Sequence, residues 1–139
     1  MKIAICGSMS AAKEMVEIKK TLINMGHIVE LPHNTELFSN NLLPPETNKE
    51  SAENKIKSDL FKYYFWIIKK SDAILVINIK KNNIDNYIWG NSLIEMAFAH
   101  ILSKKIFLLN SIPELSYTDE IIGLKPIILN WDFNIINKN

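Results

Sequence analysis

Ala73-Ile74-Leu75-Val76-Ile77, entered through Ser71-Asp72, is the stretch that decides the fold. It is apolar at every position, with no polar alternation. That pattern marks a strand covered on both faces, as in a parallel sheet enclosed by helices. On its amino-terminal side, Glu50 to Lys70 sets Ile56, Leu60, Tyr63, Tyr64 and Ile67 on one side of a predicted long helix. On its carboxyl side come a polar loop from Asn78 to Gly90, a predicted helix from Ser92 to Ser103, and a fourth strand, Ile106-Phe107-Leu108-Leu109. Further out, Ile3-Ala4-Ile5-Cys6 reads as the first strand, ended by Gly7-Ser8. Met15, Ile18, Leu22 and Met25 place a helix over Ala11 to Met25, which Gly26 ends. His27 to Leu31 reads as a second strand, stopped by Pro32. Residues 114–123 suggest a short helix and Ile127-Ile128-Leu129 a short last strand.

Strand and helix alternate throughout, which predicts an α/β chain with a parallel sheet. The expected architecture is a flavodoxin-like, Rossmann-like three-layer sandwich with five parallel strands in the order 2-1-3-4-5. In that order the helices after strands 1 and 3 leave on opposite sides. The crevice at the carboxyl ends of those strands is then the place for a ligand.

Composition narrows the class. The 139 residues suit a single domain over residues 1–139. Hydrophobic residues at 47% and charged residues at 22% exclude a disordered chain. A net charge of +1 argues against nucleic acid as partner. No apolar run is long enough for a membrane span or a signal peptide. Cys6 is the only cysteine, so no disulfide can form within the chain, and a reducing cytoplasm is the expected location. His27, His33, His100 and Cys6 have no metal-ligand spacing, and neither metal nor cofactor is expected. All 16 basic residues are lysines, so an anion site must use lysine, hydroxyls or backbone N–H groups.

Two segments open on the predicted crevice. Gly7-Ser8-Met9-Ser10 joins strand 1 to a helix, where glycine admits a ligand close to the backbone and helical N–H groups attract anions. The same residues also fit a plain turn with Ser8 or Ser10 as helix cap. The second segment runs from Asn78 through Gly90, Asn91 and Ser92 into the apolar helix. Glu95 is that helix's only carboxylate and is expected in its first turn. Ser92-x-x-Glu95 also fits a capping box, in which the glutamate serves the helix end. Residues 32–48, with three prolines, read as a long loop able to act as a lid. Tyr63-Tyr64-Phe65-Trp66 cannot all face one core, so at least one is expected to meet a partner or ligand.

Gly7-Ser8, Ser71-Asp72-Ala73-Ile74-Leu75-Val76 and Gly90-Asn91-Ser92-Leu93-Ile94-Glu95-Met96-Ala97-Phe98-Ala99 together resemble the nucleoside 2-deoxyribosyltransferase superfamily. That group includes the 2'-deoxynucleoside 5'-phosphate N-hydrolases. The turn before Glu95 also resembles the G-T-x-x-E of lysine-decarboxylase-like phosphoribohydrolases. The resemblance implies Glu95 as nucleophile at the anomeric carbon of a (deoxy)ribosyl group, with an oxocarbenium-like transition state. It implies substrate contacts from Gly7, Ser8, Met9, Asn78, Gly90, Asn91 and Ser92. The transferases carry an acid where this chain has Asn78, which leaves hydrolysis better placed than transfer.

The expected function is cleavage of the N-glycosidic bond of a (deoxy)nucleoside or nucleoside 5'-monophosphate, by hydrolysis or transfer. The alternative is a non-catalytic nucleotide-binding or assembly module of the same fold. The expected partners are a small nucleoside or nucleotide and further copies of the chain, in a homodimer or higher homo-oligomer.

Overall fold

The computed structural model describes residues 1–139. Five strands form one parallel sheet: β1 (Lys2–Cys6), β2 (Ile28–Glu30), β3 (Ala73–Val76), β4 (Lys105–Leu108) and β5 (Ile127–Ile128). Their order is β2-β1-β3-β4-β5, the flavodoxin-like order expected from the alternation. Ile3 pairs with Ala73 and Cys6 with Val76, so β1 and β3 end level at their carboxyl edge. At the other edge, Asp72 accepts the backbone N–H of Lys2 at 2.7 Å and stitches the start of β3 to that of β1.

Because successive strand residues point to opposite faces, the sheet has two cores. Ile3, Ile5, Leu75, Ile77, Phe107 and Leu109 face α1 (Ala12–Asn24), which contributes Met15, Ile18 and Leu22. Ala4, Cys6, Ile74, Val76, Ile106 and Leu108 face the other way. There they meet α4 (Leu60–Lys69) through Tyr64 and Ile68, and α5 (Gly90–Ile101) through Met96 and Ala99. Cys6 therefore lies under α4 and α5, not under α1.

The predicted helix over Glu50–Lys70 is two helices. α3 (Asn48–Ser58) opens on a capping box between Thr47 and Glu50. It stops at Asp59, which adopts the left-handed conformation at φ 44°. The Asp59 carboxylate then accepts the Lys62 N–H at 3.3 Å and starts α4. The break turns α3 off the sheet. None of its residues is buried, and Ile56, expected on the apolar side, is 82% exposed.

The expected lid holds a short helix, α2 (Thr35–Ser39), packed on α1. Thr35 is buried, and Lys19 binds Glu36 at 2.8 Å. That part of the loop is fastened down. Two short helices complete the chain: α6 (Thr118–Gly123), within residues 114–123, and α7 (Asn134–Asn137), which no sequence pattern announced and which buries Ile136 among the α1-side core.

Asp59→Ala removes the α4 cap and puts a residue less tolerant of positive φ at the break. A loss of about 1–2 kcal/mol is expected in urea unfolding, with Asp59→Asn within about 0.5 kcal/mol of the parent.

Candidate active site

The switch point lies where β1 and β3 end beneath the amino-terminal half of α5. This helix starts two residues earlier than expected, at Gly90, with Trp89 as its N-cap and no side-chain cap. Glu95 is consequently in the second turn rather than the first, where the helix dipole is weaker. The capping-box reading also fails. Ser92 lies inside the helix, fully buried, and its hydroxyl has no hydrogen-bond partner.

The start at Gly90 turns Glu95 inward. Only 8% of the residue is exposed, and Oε2 is sealed without a hydrogen-bond partner. Its surroundings are the Cys6 thiol from β1 and Tyr64 from α4. Burial pushes the Glu95 carboxyl from 4.5 up to about 8, with the neighbouring Cys6 thiol working in the opposite direction. Desolvation dominates because an ion without water or a strong donor is costly in an apolar setting. The Tyr64 hydroxyl donates to the Ile5 carbonyl and so gives nothing to Glu95. Cys6 is raised well above its ordinary range, first by burial and then by the nearby Glu95 charge, and stays a thiol.

The other expected site residues separate into two sets. Ser92 shares the buried face with Glu95, and Asn91 is half-buried just before it. Gly90 is exposed, and a Cβ there would meet open space. The Gly7–Ser10 turn has internal duties. A Cβ on Gly7 would come within 3.3 Å of Met15 Sδ and 3.4 Å of Ile77 Cβ, so the turn packs closely between α1 and the sheet. Ser8 is the N-cap of the following 3₁₀ turn (Met9–Ala11), with its oxygen accepting from Ser10 N at 3.3 Å. Met9 turns toward α2, where its sulfur receives the Thr35 hydroxyl at 3.9 Å.

Asn78, expected as a substrate contact, has a fully buried side chain. Its amide N–H groups donate to the carbonyls of Asn110 (3.2 Å) and Ser111 (3.0 Å), and its Oδ1 accepts the Asn110 N–H at 2.9 Å. The Asn110 amide returns a bond to the Asn78 carbonyl at 2.8 Å. The pair clamps the loop after β3 to the loop after β4. An amide is required because it must donate and accept at once.

The loop after Asn78 is closed by aromatic contacts. Asn82 and Asn83, both at positive φ, turn a Lys81–Ile84 bridge. The Lys81 ammonium lies 4.9 Å from the Tyr87 ring centre and 5.5 Å from that of Trp89. No cluster of His, Cys, Asp and Glu could hold a metal ion. No helix is long and apolar enough to cross a membrane.

Sequence reasoning left Cys6, Tyr64 and Asn110 outside the site. The period-2 register of β1 was the available signal for Cys6, since it puts Cys6 on the face opposite Ile5. Nothing local to Asn110 marked it as the partner of a residue 32 positions away.

Fold and switch point define an α/β chain of the flavodoxin-like class, with a buried carboxyl at the crevice. No family model matches the sequence, nor does any curated protein. Among solved structures, the chain is similar to a 2-deoxyribosyltransferase from the psychrotolerant bacterium Bacillus psychrosaccharolyticus, at 24% identity and a TM-score of 0.55. The match covers 78% of this chain and 72% of that one, and what it shows is a shared fold.

Two outcomes follow from this geometry. Asn78→Asp replaces two donors with a carboxylate aimed at two carbonyls, and a loss of about 2–4 kcal/mol is expected on unfolding. Glu95 is raised on folding, so between pH 4.5 and about 8 the unfolded chain releases a proton that the folded chain keeps. Stability from this group is therefore lost as pH rises through that window. Glu95→Gln removes the slope, and its stability relative to the parent should improve by about 2 kcal/mol or more between pH 5 and pH 9, read by urea titration at each pH.

Proposed function

We propose that this protein cleaves the N-glycosidic bond of a (deoxy)nucleoside or nucleoside 5'-monophosphate, with Glu95 as nucleophile. The observation that carries the proposal is a lone carboxyl buried on the sheet side of α5, with one oxygen free of any hydrogen-bond partner. A purely structural glutamate would be capped, paired or solvated. The shared fold with a 2-deoxyribosyltransferase supports the same substrate class.

In the proposed reaction ionised Glu95 attacks C1' while the bond from C1' to the base nitrogen breaks. The base leaves with the bonding pair and takes a proton from water. Water then adds to C1' of the glycosyl ester, releasing the sugar and restoring the carboxyl group; a second base in place of water makes the reaction a transfer. Deoxyribosides suit this route because no 2'-hydroxyl destabilises the developing cation. Ser92 and Asn91, beside Glu95, are proposed to contact the substrate, together with the backbone at Gly7 to Met9 and at Gly90. With Asn78 bound to Asn110, the base receives no help from that side chain, which favours a hydrolase over a transferase.

The exposed apolar residues of α4 and α5 support assembly with further copies of the chain. Phe61, Tyr63, Trp66, Ile94 and Ile101 are 38–77% exposed. Light scattering at micromolar concentration should give a mass above 16.0 kDa, with Trp66→Glu returning it to that value if Trp66 lies at the contact. The one thiol, fully buried, suits a reducing compartment such as the cytoplasm.

The deciding experiment incubates the protein with a panel of nucleosides and 5'-monophosphates and detects free base by chromatography. Glu95→Gln should reduce release at least about 1000-fold while the fold survives. Release in the parent should rise with pH and level off above about 8, because only the ionised carboxyl attacks. The engaged Asn78 favours the second reading, a non-catalytic nucleotide-binding or assembly module. That reading predicts nucleotide binding without base release across the panel.

A further inference from the structure

A buried hydroxyl needs an acceptor, and the acceptors within its reach can be counted. Four hydroxyl-bearing residues are buried: Thr35, Tyr64, Ser71 and Ser92. The first three donate to a backbone carbonyl. Thr35 reaches Pro32 at 2.7 Å, Tyr64 reaches Ile5, and Ser71 turns back to Ile67, four residues earlier, at 2.8 Å. Ser92 donates to nothing.

A helical serine ordinarily does what Ser71 does and bonds a carbonyl three or four residues back. For Ser92 both of those carbonyls serve other donors. Ile88 accepts the Tyr117 hydroxyl at 2.6 Å, and Trp89 accepts the Leu93 N–H at 3.0 Å. The sheet beneath offers no replacement. Its facing residues on β3 and β4 are Ile74, Val76, Ile106 and Leu108, all apolar. On β1 the Cys6 thiol leans on the Ala4 carbonyl at 4.0 Å, and on α4 the Tyr64 hydroxyl is committed to Ile5.

The acceptor that remains is Glu95. It lies three residues on, the spacing that makes side chains neighbours on one face of a helix. Both residues are on the buried face of α5, Ser92 at 0% exposure and Glu95 at 8%. Glu95 Oε2 is sealed and also without a partner, while the sealing does not extend to Oε1. We propose that Ser92 is a positioning residue for Glu95: its hydroxyl donates to Oε2 of the ionised carboxylate and leaves Oε1 to attack the anomeric carbon. The inference rests on the reading of Glu95 as nucleophile. No bond to the serine oxygen forms or breaks, and Ser92 keeps its proton. Its lone pairs stay open to a substrate hydroxyl, so it can hold the carboxylate and touch the substrate together. A hydrogen bond to an ion is roughly twice as strong as one between neutral groups, so the pair closes when the carboxyl loses its proton. It also fixes the last torsion of Glu95, which is otherwise broad, and keeps the attacking oxygen in line with C1'.

Ser92→Ala tests this with little risk to the fold, since alanine suits a helix and removes the unpaired hydroxyl. Carboxyl carbon-13 NMR of the full chain follows Glu95 with pH, the resonance being assigned by its loss in Glu95→Gln. The midpoint should rise by about one to two pH units in Ser92→Ala, the worth of one hydrogen bond to an ion. Ser92→Thr restores the donor and should return it to within about half a unit of the parent. A merely structural serine would move neither. In base release, Ser92→Ala should lower kcat at least about 10-fold and leave KM within about 2-fold. An unchanged midpoint in Ser92→Ala, or an equal rise in both variants, overturns the proposal. A raised KM with kcat intact also overturns it, by marking Ser92 as a substrate contact alone. If Ser92→Thr does not fold, Ser92→Ala decides by itself. A parent that releases no base sinks the glycosidase reading instead, and the titration still judges the bond from Ser92 to Glu95.

Discussion

The pairing of β1 with β3 is the constraint on which the other features depend. Apart from Lys2 at the start of β1, both strands are buried on both faces, so their side chains must meet a helix. The level ends at Cys6 and Val76 set the floor of the crevice. The pleat decides which face each residue joins, and a shift of one residue would exchange Cys6 for Ile5 beneath α5. The position of Glu95 over a thiol, and not over an isoleucine, is thus settled in the sheet before α5 is considered.

A carboxyl in that position works against stability. The chain accepts the loss at one point, surrounded by apolar side chains that stabilise the fold through burial. The Asn78–Asn110 clamp shows the opposite treatment of polar groups nearby. There every amide hydrogen and the carbonyl oxygen of Asn78 have partners, so the loops beside the crevice are held by satisfied bonds. Orphaned atoms at Ser92 and Glu95 stand out against that neighbouring order.

The sheet order was readable because it rests on apolar runs and alternation, which are local signals. Ala73 to Ile77 and Ile3 to Cys6 carry them without ambiguity. The carboxyl-bearing helix and its acid could also be found, since Glu95 is the only charge in an apolar stretch. What escaped depended on conformation or on distant partners. Asp59 looked like an ordinary helical residue, yet its short side chain can both tolerate positive φ and cap the next helix. Ser92-x-x-Glu95 mimicked a cap because spacing alone does not reveal that the helix starts at Gly90. The bonds of Asn78 could not be read because the residue that answers it, Asn110, lies on another loop.

The stitch from Asp72 to Lys2 joins residues 70 apart in the chain. During synthesis, β1 therefore emerges long before the strand it must lie against. Until then Ile3, Ile5 and their neighbours have only α1 and β2 for cover, with one edge of the ribbon bare. β3 arrives as a short, uncharged, strongly apolar segment, the kind that seeks any open edge. Closure of so long a loop is slow compared with local helix formation. The same pairing that gives the finished molecule its centre makes the growing chain most vulnerable to association just before that centre closes.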